Sequence, residues 1–165
     1  MVWAAISSKG IIGSFFREQM IGAAKYLGIM GEFVEIHYAS EDHWNASWFL
    51  QDGARRHRNP VLFDFLSEPF NDRIIAFDYD KHTGSGMVLP PYSPDLTPCD
   101  FLLWGCLKDL VYRQTPQIIG ELKHHISTAC ETIPSDTSVR VSEQFCLRLR
   151  HVVAANGGNF EKIVV

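Results

Sequence analysis

Two carboxylates stand where carboxylates often do chemistry: Asp52, closing the run Trp48-Phe49-Leu50-Gln51, and Asp100, heading Phe101-Leu102-Leu103-Trp104. An apolar run that ends in Asp52-Gly53 reads as a buried strand. Its carboxyl end delivers a side chain to the rim of a sheet, where open α/β folds keep their sites. Asp100 follows Thr97 and Pro98, which suit a helix cap and a first helical residue, so it falls in the first turn. Helical spacing places it on one stripe with Leu103, Trp104, Leu107 and Val111. That predicts an inward carboxylate needing a partner, and a divalent cation is one candidate.

Simpler readings stand beside these. Asp100 lies three positions after Thr97 and completes a capping box, gaining ~0.3–1 kcal/mol from the helix dipole. Asp52 before Gly53 suits a strand-to-turn corner. Asp95 is a rival acid within the turn Ser93-Pro94-Asp95-Leu96, adjacent His124 and His125 point different ways from one helix, and Tyr92 and Trp104 read as packing groups.

The elements that must position these groups alternate along the chain. Val2–Ile6 and Ile11–Phe16 read as a hairpin, followed by a helix with Met20, Ala23, Ala24, Leu27, Met30, Gly31 and Val34 on one face. Trp48–Asp52 is the buried strand, Asn59-Pro60 opens a helix through Val61, Leu62, Phe65 and Leu66, and Arg73–Phe77 is a short strand. Asp78–Gly86 is polar and glycine-containing and reads as a loop. Thr115-Pro116 opens a helix with Ile118, Ile119, Leu122, Ile126 and Ala129 inward, ended by Pro134. A last helix turns Val141, Phe145, Leu149, Val152 and Val153 inward and is closed by Gly157-Gly158. With 165 residues, 46% hydrophobic and 12% aromatic, the chain is expected to form one domain. It is mixed α/β to about residue 112, helical over 113–158, and ends in a short tail, 159–165.

A formal charge of −4 argues against strong sequence-independent DNA binding by the chain as a whole, so affinity must come from local patches. The candidates are Arg55, Arg56, His57 and Arg58 beside Asp52, and Arg140, Arg148, Arg150 and His151 near the C-terminus; either run also reads as a solvated charged surface. Cys99, Cys106, Cys130 and Cys146 form no Cys-x-x-Cys and indicate neither a zinc site nor a disulfide framework, which suits free thiols in a reducing, intracellular setting. No secretory leader and no membrane-spanning run is evident.

The strings Gln51-Asp52-Gly53-Ala54 and Ser93-Pro94-Asp95-Leu96-Thr97-Pro98-Cys99-Asp100, with residues 101–108 behind them, resemble the catalytic core of mariner/Tc1-type transposases. Residues 2–13 are similar to the strand pair that follows the first catalytic Asp of that family, and the string from Ala154 to Glu161 to its C-terminal end. The resemblance implies an RNase H-like α/β fold, a mixed sheet flanked by helices with a helical C-terminal part. Three carboxylates would there hold two Mg²⁺ or Mn²⁺ ions that cut and join DNA. It carries catalytic and metal-binding roles onto Asp52 and Asp100, transposon-end DNA as the parent's partner, a homodimer as the parent's assembly, and a nuclear location; the basic run Arg55, Arg56, His57 and Arg58 would then lie where a scissile phosphate passes.

Two departures bear on activity. The family's first catalytic Asp lies on a central strand upstream of Val2–Ile6, so in these residues that carboxylate and strand are missing, as are the end-recognition modules. The interval from Asp52 to Asp100 is longer than usual for the family, an excess assigned to the Asp78–Gly86 loop, and loop lengthening costs little. The expectation is a transposase catalytic fragment without activity as it stands; the alternative is a transposon-derived DNA- or protein-binding module. Asp52 and Asp100 should lie within about 10 Å of each other if one hydrated cation is to touch both. Without the central strand, the strands over Val2–Ile6 and Trp48–Asp52 either pair directly or leave a break, with marginal stability and exposed strand edges.

Overall fold

The computed structural model describes residues 1–40 and 46–156. The expected Gly157-Gly158 helix closure, the remainder of the C-terminal family-like string and the tail 159–165 lie outside the described residues. The chain divides into two compact units, the first formed by Met1–Ala4 and Ile12–Ser93, the second by Ala5–Ile11 and the chain from Pro94 onward.

Strands β1 (Val2–Ser7) and β2 (Gly10–Phe16) form the expected hairpin. Gly10 at φ 141° turns the corner, and the Ser7 hydroxyl accepts the Lys9 N–H at 3.2 Å. At the open end Arg17 donates its N–H to the Met1 carbonyl at 2.9 Å, and the Met1 ammonium donates to the Arg17 carbonyl at 2.8 Å.

Helix α1 (Ala23–Ser40) buries Tyr26, Ile29, Met30 and Phe33. This corrects the expected face: Met20 is 85% exposed, and Tyr26 and Phe33 displace the smaller Ala23, Ala24 and Gly31. An aromatic ring removes more apolar area from water than a methyl group does, so the helix settles with its rings inward.

Strand β3 (Phe49–Leu50) pairs parallel with β4 (Ile74–Ala76), with Phe49 opposite Ile74, and β4 pairs parallel with β5 (Met87–Val88), with Ile75 opposite Met87. The β3 to β4 crossover is helix α2 (Pro60–Phe70), which starts where expected: the Asn59 side chain accepts the Val61 N–H at 3.0 Å, and Pro60 occupies the first helical position. Leu62, Phe63, Leu66 and Phe70 form its buried face. The stretch expected to be a loop instead holds helix α3 (Tyr79–Thr83) and leads into β5. Tyr79 is fully buried and anchors the segment, its hydroxyl donating to the Asn71 carbonyl at 3.2 Å. Gly86 at φ 80° then turns the chain so close to β4 that a Cβ would sit 2.8 Å from the Ile74 carbonyl oxygen. Polar composition hid this helix because one aromatic residue supplies most of its burial.

Strands β1 and β2 form one sheet and β3, β4 and β5 another, so among the described residues β1 and β3 do not pair: the break occurs, not the direct pairing. Side chains span it. Trp3 of β1 meets Phe33 of α1 edge-on with centroids 5.4 Å apart, Phe33 meets Phe49 of β3 at 5.7 Å, and Phe49 stacks on Phe70 of α2 at 5.2 Å.

Among the described residues, every element of the second unit from Pro94 onward is helical. A 3₁₀ turn (Pro94–Leu96) and a π-helical turn (Cys99–Leu103) lead into α4 (Trp104–Tyr112), followed by α5 (Ile119–Thr132) and α6 (Ser135–Ala154). Leu103, Leu107 and Val111 give α4 its buried side. Helix α5 starts later than expected, because the Glu121 carboxylate accepts the Gln117 N–H at 2.7 Å and fixes its first turn. Ile118 and Ile119 consequently stay outside, 65% and 72% exposed, correcting the inward assignment. Leu149 and Val153 of α6 are likewise exposed, whereas Ser138 and Val141 are buried.

Phe33→Ala should destabilise the chain by about 3–5 kcal/mol, the usual range for emptying a buried ring site. The urea midpoint of unfolding, followed by circular dichroism, checks it; a loss under ~1 kcal/mol would show that the ring bridge contributes little.

Candidate active site

The first candidate group is built on the end of β3. The Gln51 N–H continues the ladder by donating to the Ile75 carbonyl at 3.2 Å. Its side chain is buried, with the amide oxygen accepting from the Tyr26 hydroxyl at 3.2 Å and the amide nitrogen donating to the His57 carbonyl at 3.0 Å. Gln51 therefore ties α1 to the short 3₁₀ turn Arg55–His57, which the His57 N–H closes on the Ala54 carbonyl at 2.8 Å. The His57 ring is buried and stacks on Tyr26 at 4.1 Å.

Asp52 sits inside this frame. One carboxylate oxygen accepts the Ala54 N–H at 2.9 Å, the turn geometry expected of an Asp before Gly, and the same oxygen is ion-paired with Nδ1 of His57. Burial pushes the Asp52 carboxyl up, but the His57 hydrogen bond and charge, the Ala54 N–H and the charge of Arg56 together hold it below the usual carboxylate range. Asp52 is therefore anionic at neutral pH. Its side chain is 43% exposed, so this anion still reaches solvent. The turn role and an outward-facing oxygen ligand coexist in one residue.

Asp100 lies in the second unit, in the first turn of the π-helical segment, and it is exposed. The inward orientation expected from the apolar stripe is corrected. The Trp104 N–H bonds five residues back to the Cys99 carbonyl, and this wider turn breaks the α-helical register. Leu103 and Leu107 keep the inward side, and Asp100 does not share it. The Thr97 carbonyl accepts the Asp100 and Phe101 N–H groups at 2.9 and 3.1 Å, so Thr97 starts the helix through its backbone.

The basic run beside Asp52 separates by role. His57 faces inward on Asp52, whereas Arg55 and Arg58 are exposed. Arg56 reaches the Ile21 carbonyl at 3.4 Å. Arg58 lies over the Phe77 ring at 5.1 Å and 3.8 Å from the Asp78 carboxylate, which also holds Lys81 at 2.5 Å. Near the C-terminus Arg148 is turned onto its own unit, over Phe101 at 4.3 Å and donating to the Asp95 carbonyl at 3.3 Å. Sequence reasoning missed Tyr26 and Gln51. A polar Gln beside Asp52 within a buried run was the one available signal, since a buried amide must find partners.

In sequence, no protein-family model and no curated protein matches the chain. In structure, the chain is similar to the Mos1 transposase catalytic domain solved with raltegravir and Mg, with a TM-score of 0.73 and 20% identity over 93% of this chain and 73% of that one. The corresponding structure with Mn gives 0.74 and 18% identity over 98% and 82%, and the Mos1 mariner paired-end complex with Mn gives 0.75 and 21% identity over 97% and 44%. The fold is that of a mariner transposase catalytic domain. It is mixed α/β and RNase H-like, with small sheets and a helical C-terminal part. Within this mariner-type fold, Asp52 stands at the carboxyl end of a parallel strand, the customary place for a reactive group in an α/β sheet.

The folded state lowers the Asp52 carboxyl below 3.8, so ionised Asp52 contributes stability that is fully present above that value and is lost as pH falls through the folded value. Asp52→Asn should therefore narrow its stability gap to the parent chain as the pH drops below 3.8. Urea midpoints measured from neutral to acid pH check this, and a gap independent of pH would show that the Asp52–His57 pair is not the cause.

Proposed function

We propose that the chain is a transposase catalytic fragment whose chemistry is metal-dependent cleavage and joining of DNA strands, with Asp52 and Asp100 as the two catalytic, metal-binding carboxylates within these 165 residues. The observation that carries this reading is Asp52 itself: ionised, oriented by a framed turn, and reaching solvent at the end of a parallel strand. The neighbours in structure support it, since those transposases are described with Mg, with Mn, in paired-end complexes and in a strand transfer complex.

The donor chemistry at Asp52 fits a hard divalent cation, which prefers carboxylate oxygen and keeps several waters. Among the described residues no cluster of three His, Cys, Asp or Glu side chains forms a complete cage. When bound, Mg²⁺ or Mn²⁺ activates the attacking water or 3′-hydroxyl and stabilises the leaving oxygen. The chain's own residues do the positioning. His57 keeps Asp52 charged and fixes its rotamer, Gln51 and Tyr26 hold the turn that carries His57, and exposed Arg55 and Arg58 supply cations for a passing phosphate. DNA is the partner in this reading, and the nucleus the location.

With only two of the three carboxylates that the resemblance implies, these residues by themselves are expected neither to nick nor to join transposon-end DNA in Mg²⁺ or Mn²⁺. Robust cleavage by the purified chain, abolished by Asp52→Ala or Asp100→Ala, would overturn the inactive reading. Mn²⁺ should selectively broaden the NMR signals of residues 51–57, and Asp52→Ala should remove that broadening. Duplex binding that is independent of metal, with no Mn²⁺ effect near Asp52, would favour the non-catalytic binding module instead.

A further inference from the structure

Helix α6 carries an apolar stripe left uncovered. Its inward side is Ser138, Val141, Phe145, Arg148 and Val152. One residue further round, Val139, Ser142, Cys146, Leu149 and Val153 recur at alternating steps of three and four residues, and all are exposed, Val139 by 45%, Leu149 by 44% and Val153 by 70%. Alternating steps of three and four are the seam spacing of paired helices. Along one flank of that seam lie Glu143 and Arg150, seven residues apart and both exposed, and among the described residues neither belongs to an ion pair.

The placement of those two charges selects an occupant. A second α6 laid parallel would set Glu143 and Arg150 against the Phe145 side of the seam, where no complementary charge exists. Laid antiparallel, the same flank meets itself, so an acid and a base seven residues apart become complementary on both sides of a two-fold axis. We propose that a second copy of this chain docks antiparallel along the α6 stripe. Glu143 then pairs with the partner's Arg150, Cys146 layers on the partner's Leu149, and Val153 layers on the partner's Ser142. The proposal is independent of the chemistry assigned to Asp52 and Asp100. Two heptads make a contact at the low end of interface sizes, so the dimer is weak, dissociating on the order of 10–100 µM.

Sedimentation velocity on the intact chain from about 1 µM to about 1 mM, the span in which weak interfaces titrate, should show a monomer–dimer equilibrium. Glu143→Arg and Arg150→Glu should each weaken it roughly tenfold by placing like charges together, and the double variant should restore it. A short bis-maleimide should join two copies through Cys146, and Cys146→Ser should abolish that product; unchanged circular dichroism shows that the variants fold. A chain that stays monomeric throughout overturns the proposal, as does a dimer indifferent to the single reversals or not restored by the double one. Protection of Cys146 from alkylation by duplex DNA, with no dimer present, would also overturn it, because the stripe would then serve DNA.

Discussion

The first unit depends on a line of rings where a sheet would ordinarily supply backbone hydrogen bonds. Trp3, Phe33, Phe49 and Phe70 run from the hairpin through α1 to β3 and α2, and β1 and β3 share no ladder. Strands of two or three residues, as β3, β4 and β5 are, gain little from their own pairing. Their positions are set by what packs on them, and aromatic pairs combine large buried area with preferred geometry.

The same economy governs the site. Asp52 experiences two opposed effects: partial burial favours its neutral acid, while His57, the Ala54 N–H and Arg56 favour the anion, and the second set prevails. His57 can serve because it is itself held, by stacking on Tyr26 and by the Gln51 amide on its carbonyl. Arg58 and Lys81 flank Phe77 beside the same corner, where Phe77 also packs 3.6 Å from the position a Cβ would take on Gly53. The charges there are shared with Asp78 and leave a modest cationic excess, in keeping with an acidic chain that concentrates its basic groups locally.

Much of the first unit was legible in the sequence. The hairpin, the start of α2 at Asn59-Pro60, and a strand just ahead of Asp52 all follow from signals that act over a few residues: turn glycines, a capping amide, a run of apolar side chains. The strand itself is shorter than the expected Trp48–Asp52, spanning Phe49–Leu50 with Trp48 exposed. The inward face of α1 was not legible, since two overlapping sets of apolar residues fit a helical period and only the partner surface selects the larger rings. Helix α3 was hidden because its burial rests on Tyr79 alone. The start of α5 and the exposure of Ile118 depend on where one Glu121 carboxylate turns.

What the sequence determined by itself is the residue chemistry: acids at the ends of apolar elements, a local basic run, and motif strings specific enough to imply the mariner-type fold. The tertiary structure decided how those acids are presented. Asp52 acquires its charge state from His57 and Arg56 and its frame from Tyr26, which lies far away in the chain, and no local pattern contains that information. Asp100 faces outward because one backbone bond spans five residues where helical periodicity assumes four. Periodicity reads the average geometry of an element, whereas the departure from it belongs to packing, and packing exists only in the folded chain.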